Sequence, residues 1–258
     1  MKIAVLGCGN LATAVVSKLE GFEFHTYTPS YIRAEELAKL KNGTAYKELK
    51  NIPLTDFVIL GMKPQQFEEF AKVYKDFFDD SSVVISLLAG TSTDTIKKAL
   101  GAKSVARVMS NTPAIIGKGL HALYFSNVDQ SSVVESMFKV SGETIVLDSE
   151  DKIDGITHFS GSGPAYLFDL ARILTSELEK RGLTNEQANM AIKQTLLGSA
   201  ELLKNSELPA IELRKQVTSK AGVTEKVLES LWDFGIDNAY EKALIAGDER
   251  IAQLKGII

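Results

Sequence analysis

Cysteine is almost absent from this chain, and histidine is scarce. Of the 258 residues, one is a cysteine, Cys8, and three are histidines, His25, His121 and His158. A single thiol excludes a disulfide framework and a cysteine-rich zinc module, and the three histidines lack the spacing of metal ligands. We therefore predict that the protein holds no structural metal.

Long apolar runs and an excess of basic charge are also lacking. The best apolar stretches, 57–62 and 83–89, have the length of a strand, whereas a membrane-spanning helix needs roughly 18 consecutive apolar residues. The 29 Lys and Arg residues against 33 Asp and Glu residues do not make the basic surface of a nucleic-acid-binding protein. We expect a soluble, cytoplasmic protein that binds neither membranes nor nucleic acid.

Short β-branched runs alternate with helical stretches up to about residue 150. This alternation predicts a mostly parallel sheet that is covered by helices on both faces. The expected strands are 2–6, 23–27, 57–60, 83–86 and 104–108, with 120–125 and 144–147 as an extension of the sheet. The expected helices are 11–19, 32–40, 65–78 and 93–100, the last of them with Thr93 as its N-cap.

Beyond residue 150 the strand signal ends and helical patterns follow. Helices are expected over 152–159, 163–181, 185–204, 209–216, 222–234 and 236–247. The fold class is therefore predicted as α/β, with a doubly wound Rossmann-type domain over 1–150 and an all-α dimerisation domain over 151–258.

One of the long expected helices carries a face of mostly small side chains. Its members recur at helical spacing: Ala188, Ala191, Ile192, Thr195, Ser199 and Leu202. Small side chains let helices approach closely, either in a bundle within one chain or in a core shared with a second subunit. Because two-fold homodimers are common, the shared core is the favoured interpretation.

A glycine-rich turn joins the first expected strand to the first expected helix. Its sequence, Gly7-Cys8-Gly9-Asn10-Leu11-Ala12, matches the G-x-G-x-x-G/A fingerprint of dinucleotide binding. The first glycine permits a tight turn, the second lets the backbone approach a pyrophosphate, and Ala12 lets the helix pack closely on the strand. Gly7, Gly9, Asn10, Leu11 and Ala12 are therefore predicted to bind the cofactor, and Cys8 is expected to be a small side chain that is tolerated beside it.

The end of the second expected strand predicts which cofactor is bound. The segment Tyr27-Thr28-Pro29-Ser30-Tyr31-Ile32-Arg33 has no acidic residue to bind the two ribose hydroxyls of NAD. Hydroxyls and an arginine suit the extra phosphate of NADP, so Thr28, Ser30 and Arg33 are predicted to bind NADP(H). The alternative is that Arg33 is only a solvated helix residue.

Four further segments complete a pattern that covers essentially the whole chain. They are Gly61-Met62-Lys63-Pro64-Gln65, Arg107-Val108-Met109-Ser110-Asn111-Thr112-Pro113-Ala114, Ser160-Gly161-Ser162-Gly163-Pro164-Ala165-Tyr166, and Val217-Thr218-Ser219-Lys220-Ala221-Gly222-Val223-Thr224. With the fingerprint, they resemble the pyrroline-5-carboxylate reductases, which make proline. The third segment, a Gly-Ser-Gly-Pro run at the start of a long helix, is the most specific.

The resemblance implies NADPH-dependent reduction of 1-pyrroline-5-carboxylate to L-proline by a homodimer or larger homo-oligomer, in which helices of two chains complete each active site. It places Met62, Lys63 and Pro64 at the cofactor, and Asn111, Thr112 and Pro113 in a turn under the nicotinamide ring. Ser162 and Gly163 are implied at the domain junction. The implied substrate-binding residues are Val217, Ser219, Ala221, Gly222, Val223 and Thr224.

The implied substrate loop departs from the family pattern Ser-Pro-Gly-Gly-x-Thr, because Lys220 replaces the proline and Ala221 replaces a glycine. The alanine costs about 1 kcal/mol or more if its position needs a positive φ. The N–H groups of Ala221, Gly222 and Val223 are expected to hold the substrate carboxylate. Thr224 is expected to be catalytic, with its hydroxyl near the ring nitrogen, and the alternative is that this hydroxyl only caps its own helix.

Two other functions stay open at this point. One is an NADP-dependent reductase of another small acid or imine, similar to the β-hydroxyacid dehydrogenases, which use a lysine of the helical domain as an acid. The spacing of Lys193 and Lys204 marks neither for that role. The other is a non-catalytic NADP-binding regulator, which Lys220 and Ala221 favour.

Overall fold

The computed structural model of this protein describes residues 1–75, 78, 81–126, 129 and 131–256. The chain divides into two compact units. The first comprises Met1–Pro164 together with Ala246–Ile258, and the second comprises Ala165–Ile245.

The first unit is built on one sheet of eight strands. The strands are β1 (Lys2–Leu6), β2 (Glu23–Tyr27), β3 (Thr44–Tyr46), β4 (Phe57–Leu60), β5 (Val83–Ser86), β6 (Ser104–Met109), β7 (Gly119–Ser126) and β8 (Gly142–Val146). Their order is β3-β2-β1-β4-β5-β6-β7-β8, and each pair is parallel except β6 with β7. The chain order reverses between β1 and β4, which is where ligands bind in doubly wound sheets.

Helices cover both faces of this sheet. They are α1 (Asn10–Val16), α2 (Ile32–Lys41), α3 (Pro64–Tyr74), α4 (Thr93–Leu100), α5 (Ser131–Lys139) and α6 (Glu150–Ile156). Side chains of β1 alternate between the two cores: Ile3 and Val5 lie in one apolar cluster, and Ala4 and Leu6 in the other. This period of two is what a strand buried on both faces requires.

The second unit is helical throughout its described elements. Its helices are α7 (Gly163–Glu179), α8 (Asn185–Asn205), α9 (Ala210–Gln216), α10 (Val223–Asp233) and α11 (Ile236–Lys255), of which α7 begins and α11 ends in the first unit. Thr184 begins α8 with a reciprocal cap: its hydroxyl accepts from Gln187 N–H at 3.2 Å, and the Gln187 side chain accepts from Thr184 N–H at 3.0 Å. Among the described residues, no helix is long and apolar enough to cross a lipid bilayer.

A buried arginine explains why the first unit extends past residue 150. Arg107 on β6 is 1% exposed and donates to Glu150 at 3.0 Å and to Asp154 at 2.7 Å, both on α6. Lys255, at the end of α11, pairs with Asp154 at 2.8 Å. These ion pairs hold α6 and the last part of α11 on the sheet, so the compact units divide at Pro164, later than the boundary expected near residue 150.

The predicted α/β class is confirmed, and four of the predicted strands have the expected bounds. Strand β3 and helix α5 were not predicted. The predicted Thr93 cap is wrong: Ser92 is the N-cap of α4, and its hydroxyl accepts from Thr95 N–H at 3.0 Å. Thr93 is instead held by Glu150, which accepts from its N–H at 2.7 Å and from its hydroxyl at 3.0 Å.

The remaining differences from the predictions lie at the ends of strands and helices: β6, β7 and β8 differ by one or two residues from the predicted 104–108, 120–125 and 144–147. The helix expected over 65–78 ends at Tyr74, and residues 76 and 77 of that range lie outside the described residues. The helix expected over 152–159 ends at Ile156 and passes into a π-helical turn, Thr157–Gly161. Helix α11 continues eight residues beyond the expected end at 247 because its last part is packed on the first unit.

Candidate functional site

Two turns at the carboxyl edge of the sheet touch through glycine. Gly7 has φ +96°, and a Cβ on it would lie 2.4 Å from the backbone nitrogen of Met62. A Cβ on Gly61 would lie 2.6 Å from the Cβ of Ala12. Side chains at positions 7 and 61 are therefore excluded by contact, and at Gly7 also by the left-handed backbone. The turn after β1 and the turn after β4 are held together at this point.

The start of α1 is open to an anion. Gly9 is its N-cap, and no side chain caps the helix. A Cβ on Gly9 would meet only the carbonyl oxygen of Gly61, at 3.8 Å, so space is left in front of the turn. Asn10 is exposed and Leu11 is partly buried, whereas Ala12 is buried against the core. An uncapped helix start that follows two glycines fits the pyrophosphate of a dinucleotide.

The thiol within this turn is not a reactive group. Cys8 is 3% exposed, and its Sγ lies 3.7 Å from the carbonyl oxygen of Tyr27. Burial raises the pKa of Cys8 to about 12, so the side chain stays a neutral thiol. It behaves as a small apolar side chain beneath the turn.

The segment after β2 presents its polar side chains at the same edge. Thr28 is partly buried, and Ser30 and Arg33 are exposed, with Arg33 in the first turn of α2. Between them Tyr31 has φ +47°, and its N–H donates to Thr28 at 2.9 Å. The tight turn therefore leaves both hydroxyls and the guanidinium on one short segment.

The structure adds a second cation that the sequence analysis missed. Strand β3 pairs in parallel with β2, and Tyr46 lies opposite Tyr27. Lys47 follows directly, and its Nζ lies 5.3 Å from the ring centroid of Tyr31. Lys47 was missed because β3 was not predicted, and without β3 nothing in the sequence brings residue 47 to residue 31.

The turn after β4 leads into α3. The N–H of Gly61 donates to Leu6 on β1 at 2.8 Å, which keeps the two strand ends aligned. Lys63 is the exposed N-cap residue, and its N–H donates to the side chain of Gln66 at 3.2 Å. Pro64 occupies the first helical position, where its missing N–H costs nothing. Met62 is partly buried.

Asn111 links the end of β6 to two other segments. Its Oδ1 accepts from the N–H of Leu120 at 2.9 Å, and its Nδ2 lies 3.3 Å from the carbonyl oxygen and 3.4 Å from the hydroxyl of Ser160. Thr112 and Pro113 begin a 3-10 turn, Thr112–Ile116, that packs on α1. The structure thus brings the predicted cofactor residues of β1, β4 and β6 to one edge of the first unit.

The Ser-Gly-Ser-Gly-Pro segment starts within a π-helical turn. A Cβ on Gly161 would lie 3.0 Å from the sulfur of Met109, so glycine permits the turn to approach β6. The N–H of Ser162 donates to Thr157 at 3.2 Å. Gly163 begins α7, and the first unit ends one residue later at Pro164. π-turns recur at functional sites because the extra residue redirects the backbone.

The predicted substrate residues lie in the second unit, between α9 and α10. Val217 ends α9 and is exposed, and Ser219 is exposed as well. Ala221 has φ +57°, the left-handed conformation that glycine adopts without strain. A Cβ on Gly222 would lie 2.3 Å from the hydroxyl oxygen of Ser219. The loop therefore needs glycine at 222 and tolerates alanine at 221 under strain.

Two of the three amides expected to hold a carboxylate already have acceptors. The N–H of Ala221 donates to Oε2 of Glu225 at 2.6 Å, and the N–H of Gly222 donates to Ser219 at 3.0 Å. Val223 and Thr224 are exposed in the first turn of α10, which has no side-chain cap. The Thr224 hydroxyl therefore does not cap its own helix.

Comparison with known families divides the chain as the elements do. Residues 2–90 match a family described as NADP oxidoreductase, coenzyme F420-dependent. Residues 150–254 match a family described as pyrroline-5-carboxylate reductase dimerisation.

Full-length relatives agree with the second of these matches. The chain is 32% identical to the pyrroline-5-carboxylate reductase of Pseudomonas aeruginosa over 98% of this chain and 96% of the relative. A solved pyrroline-5-carboxylate reductase from Coxiella burnetii is 31% identical, with a TM-score of 0.84, covering 98% of this chain and 97% of that one. The NADP-bound Plasmodium falciparum enzyme shares the fold at 23% identity, with a TM-score of 0.88 and 99% and 98% coverage. The chain belongs to the pyrroline-5-carboxylate reductase family.

Proposed function

We propose that this chain reduces 1-pyrroline-5-carboxylate to L-proline with NADPH, using cofactor-binding residues of the first unit and substrate-binding residues of the second. The observation that carries the reaction is the likeness to a pyrroline-5-carboxylate reductase over 98% of the chain at 32% identity. The assignment of individual residues rests on the local geometry of each turn. The two domains proposed are 1–150 for the cofactor and 151–258 for dimerisation and substrate.

The glycine turn after β1 binds the cofactor pyrophosphate in this proposal. Gly7 and Gly9 let the backbone come close, and the N–H groups of Asn10, Leu11 and Ala12 start a helix without a side-chain cap. A helix N-terminus with unpaired N–H groups favours negative charge.

The segments after β2 and β3 select NADPH over NADH. Thr28, Ser30 and Arg33 supply donors for the 2′-phosphate, and Lys47 adds a second positive charge beside Tyr31. The segment after β2, residues 27–33, has no carboxylate that would repel the phosphate.

The nicotinamide side is assigned to the turns after β4 and β6. Met62, Lys63 and Pro64 line the ribose and nicotinamide, and Asn111, Thr112 and Pro113 support the ring. Asn111 suits this role because Leu120 and Ser160 fix its side chain. A fixed support is what hydride transfer needs, because orientation of the two reacting rings supplies much of the rate.

NADPH supplies the hydride that reduces the imine carbon of the substrate. The loop 217–224 holds the other partner, with Val217 and Ser219 at its start. The N–H of Gly222 is already satisfied by Ser219, so the substrate carboxylate is assigned to the N–H of Val223 and to that of Ala221, from which it must displace Glu225. The Thr224 hydroxyl, next along the chain, then hydrogen-bonds the ring nitrogen as that nitrogen changes from imine to amine.

The exposed apolar surface of the helices supports a homodimer. None of the residues of α7 is buried in the single chain, and Leu167 and Phe168 are 56% and 67% exposed. On α8 Ala188 is buried, whereas Thr195, Ser199 and Leu202 of the predicted small-residue face are exposed. Large apolar side chains exposed on a helix in this way favour an interface, and a second copy is the proposed occupant. A cytoplasmic location and the absence of nucleic-acid partners stay predictions.

The test is turnover by the purified chain. NADPH oxidation is followed with 1-pyrroline-5-carboxylate and with 1-pyrroline, which lacks the carboxylate, and NADP⁺ reduction is followed with a β-hydroxyacid. We expect NADPH oxidation matched by proline formation, and a clear preference for the carboxylated imine. Binding of NADPH without reduction of any cyclic imine contradicts the proposal and favours the regulator. Light scattering on the same sample tests the dimer, which a folded, active monomer contradicts.

A further inference from the structure

Three buried side chains, those of Ser110, His121 and Ser141, form a hydrogen-bonded row next to the nicotinamide turn, Asn111–Pro113. Nδ1 of His121 lies 2.8 Å from the hydroxyl of Ser110, and Nε2 lies 3.0 Å from the hydroxyl of Ser141. His121 and Ser141 are 0% exposed and Ser110 is 1% exposed. No part of the function proposed above uses this row of side chains.

The direction of the hydrogen bonds follows from their last member. The Ser141 hydroxyl donates its one proton to the carbonyl oxygen of Phe138 at 3.0 Å. Its oxygen can then only accept from His121, which places a proton on Nε2. A neutral imidazole carries one N–H, so Nδ1 is an acceptor and the Ser110 hydroxyl is its donor.

Burial keeps the ring in this neutral form. It lowers the pKa of His121 to about 4, because water is excluded and the described partners of the ring include no carboxylate that would favour its charge. These partners are the two serine hydroxyls, the backbone of Ser141, whose hydrogen bond raises the pKa by less than burial lowers it, and the edge of the Phe138 ring, whose centroid is 5.3 Å away. Because both ring nitrogens have a hydrogen-bond partner, the three side chains are held in one conformation.

The row of hydrogen bonds joins the segment after β6 to β7, the two segments between which the nicotinamide turn lies. Ser110 and Asn111 directly follow the last residue of β6, and Leu120 and His121 are consecutive at the start of β7. Asn111 accepts from Leu120, and Ser110 donates to His121. Ser110 and Asn111 are therefore held by one residue each of β7, His121 and Leu120, where β6 and β7 pair in antiparallel orientation.

We propose that His121 is a positioning residue for hydride transfer, which acts through the Ser110 hydroxyl to fix the backbone from which Asn111 supports the nicotinamide ring. This inference rests on the proposed function, since the role of Asn111 comes from it. His121 itself touches no reacting atom. A small displacement of the ring support lowers the rate of hydride transfer because the donor and acceptor carbons must be close and aligned.

The first measurement is the tautomer of His121 in the full-length protein, by ¹⁵N NMR of the imidazole nitrogens. We expect a protonated Nε2 and an unprotonated Nδ1 at neutral pH. A protonated Nδ1 overturns the proposal, because Ser110 would then be the acceptor and the hydrogen bonds would run in the opposite direction.

The second measurement compares two substitutions that separate positioning from packing. His121→Phe fills the space beside Phe138 but offers no acceptor to Ser110, whereas His121→Asn keeps an acceptor near Nδ1 and leaves a gap. If the role is positioning, His121→Phe lowers kcat about tenfold with KM for the imine within about twofold, and His121→Asn keeps more of kcat although it is less stable. If His121 serves packing alone, the order of the two kcat values is reversed, which overturns the proposal.

Ser110→Ala gives a third, milder variant if His121→Phe does not fold. It should lower kcat in the same way, raise the deuterium isotope effect with C4-deuterated NADPH, and add little to His121→Phe in the double variant. The matched control is His25→Phe, which removes another buried histidine of the same unit, bonded to Tyr46 at 3.1 Å, and should leave kcat unchanged. An inactive wild-type chain refutes the proposed function. An active chain whose kcat is unaffected in Ser110→Ala and His121→Phe refutes the role of His121 alone.

Discussion

The backbone N–H of Ala221 donates a hydrogen bond to the side chain of Glu225, with the two atoms 2.6 Å apart. Both residues belong to the loop and helix that the proposed function assigns to the substrate. A carboxylate of the protein itself therefore lies on a donor that the proposed function assigns to the substrate carboxylate. In the proposed function the two carboxylates compete for one N–H, so the substrate must displace Glu225 to bind.

Removal of the Glu225 carboxylate should therefore tighten substrate binding. For Glu225→Ala we expect KM for 1-pyrroline-5-carboxylate to fall about three- to tenfold, because the hydrogen bond to be displaced is one to a charged group. kcat should change little, since Glu225 has no part in the chemistry. The control is Glu229→Ala, which removes a carboxylate of the same helix that pairs with Lys226 at 3.2 Å. An unchanged KM in Glu225→Ala contradicts the competition.

The strain at Ala221 predicts a stabilising substitution. Its φ of +57° costs about 1 kcal/mol for a residue with a Cβ, and glycine avoids that cost. Ala221→Gly should raise the free energy of unfolding by about 0.5–1 kcal/mol, measured by urea denaturation at fixed protein concentration. Ala200→Gly, within α8, should have the opposite sign, because glycine weakens a helix by about 1 kcal/mol. Equal losses in both variants would show that Ala221 is not strained.

Lys47 and Arg33 should decide between the two nicotinamide cofactors. Each of Lys47→Ala and Arg33→Ala is expected to lower kcat/KM for NADPH about five- to tenfold, because a charge-assisted bond to the 2′-phosphate is lost. kcat/KM for NADH should stay near its original value. Lys50→Ala is the control, since Lys50 pairs with Glu48 at 2.8 Å. A parallel loss with both cofactors contradicts the assignment of Lys47 and Arg33 to the phosphate.

Acid should destabilise the protein through His121. Its pKa is about 4 in the folded chain, whereas the ordinary pKa of a histidine is 6.5. Between these pH values His121 is protonated in the unfolded chain and neutral in the folded chain. The contribution of His121 to the free energy of unfolding is therefore fully present above about pH 6.5 and is lost as the pH falls towards 4, by at most about 3 kcal/mol. In His121→Asn this contribution is gone, and the difference in unfolding free energy from the wild type should shrink on acidification. His25 is unchanged in both proteins and cancels in the comparison.

Three of the four strands that the sequence predicted with correct bounds, β1, β4 and β5, are short and mostly apolar runs that are buried on both faces. Runs of this kind can be identified from the sequence alone. β3 has three residues, none of them fully buried, so no pattern marks it. The cap of α4 could not be assigned locally, because two adjacent hydroxyl residues qualify and Glu150, 57 residues away, decides between them. Helix α5 did have an amphipathic signal in Val134, Met137 and Phe138, which was overlooked.

At the site, the local motifs could be predicted from the sequence, but the contacts between residues of distant segments could not. The sequence of the glycine turn predicts its backbone geometry, and Gly7 has the positive φ that the fingerprint implies. The approach of Gly61 to Ala12, the place of Lys47 beside Tyr31 and the bond from Ser110 to His121 each join segments of different strands. Such pairs depend on the order of strands in the sheet, which one sequence does not specify.

The catalytic role of Thr224 is tested by three substitutions that change its hydroxyl and its shape separately. Thr224→Ala removes both the hydroxyl and the methyl group, Thr224→Val keeps the shape without the hydroxyl, and Thr224→Ser keeps the hydroxyl. A lost hydrogen bond to a charged group is worth about 1.5–3 kcal/mol, so kcat/KM for 1-pyrroline-5-carboxylate should fall roughly ten- to hundredfold in Thr224→Ala and Thr224→Val. Thr224→Ser should keep most of the activity.

Binding of NADPH separates a role in catalysis from damage to the protein. Thr224 and the glycine turn at Gly7 belong to different units, so the dissociation constant for NADPH should stay the same in all three variants. Because the Thr224 hydroxyl does not cap α10, Thr224→Val should not shorten that helix, which circular dichroism can verify. If Thr224→Val keeps the full kcat/KM, the hydroxyl makes no bond in the transition state. The loop then holds the substrate only through its backbone N–H groups at Ala221 and Val223.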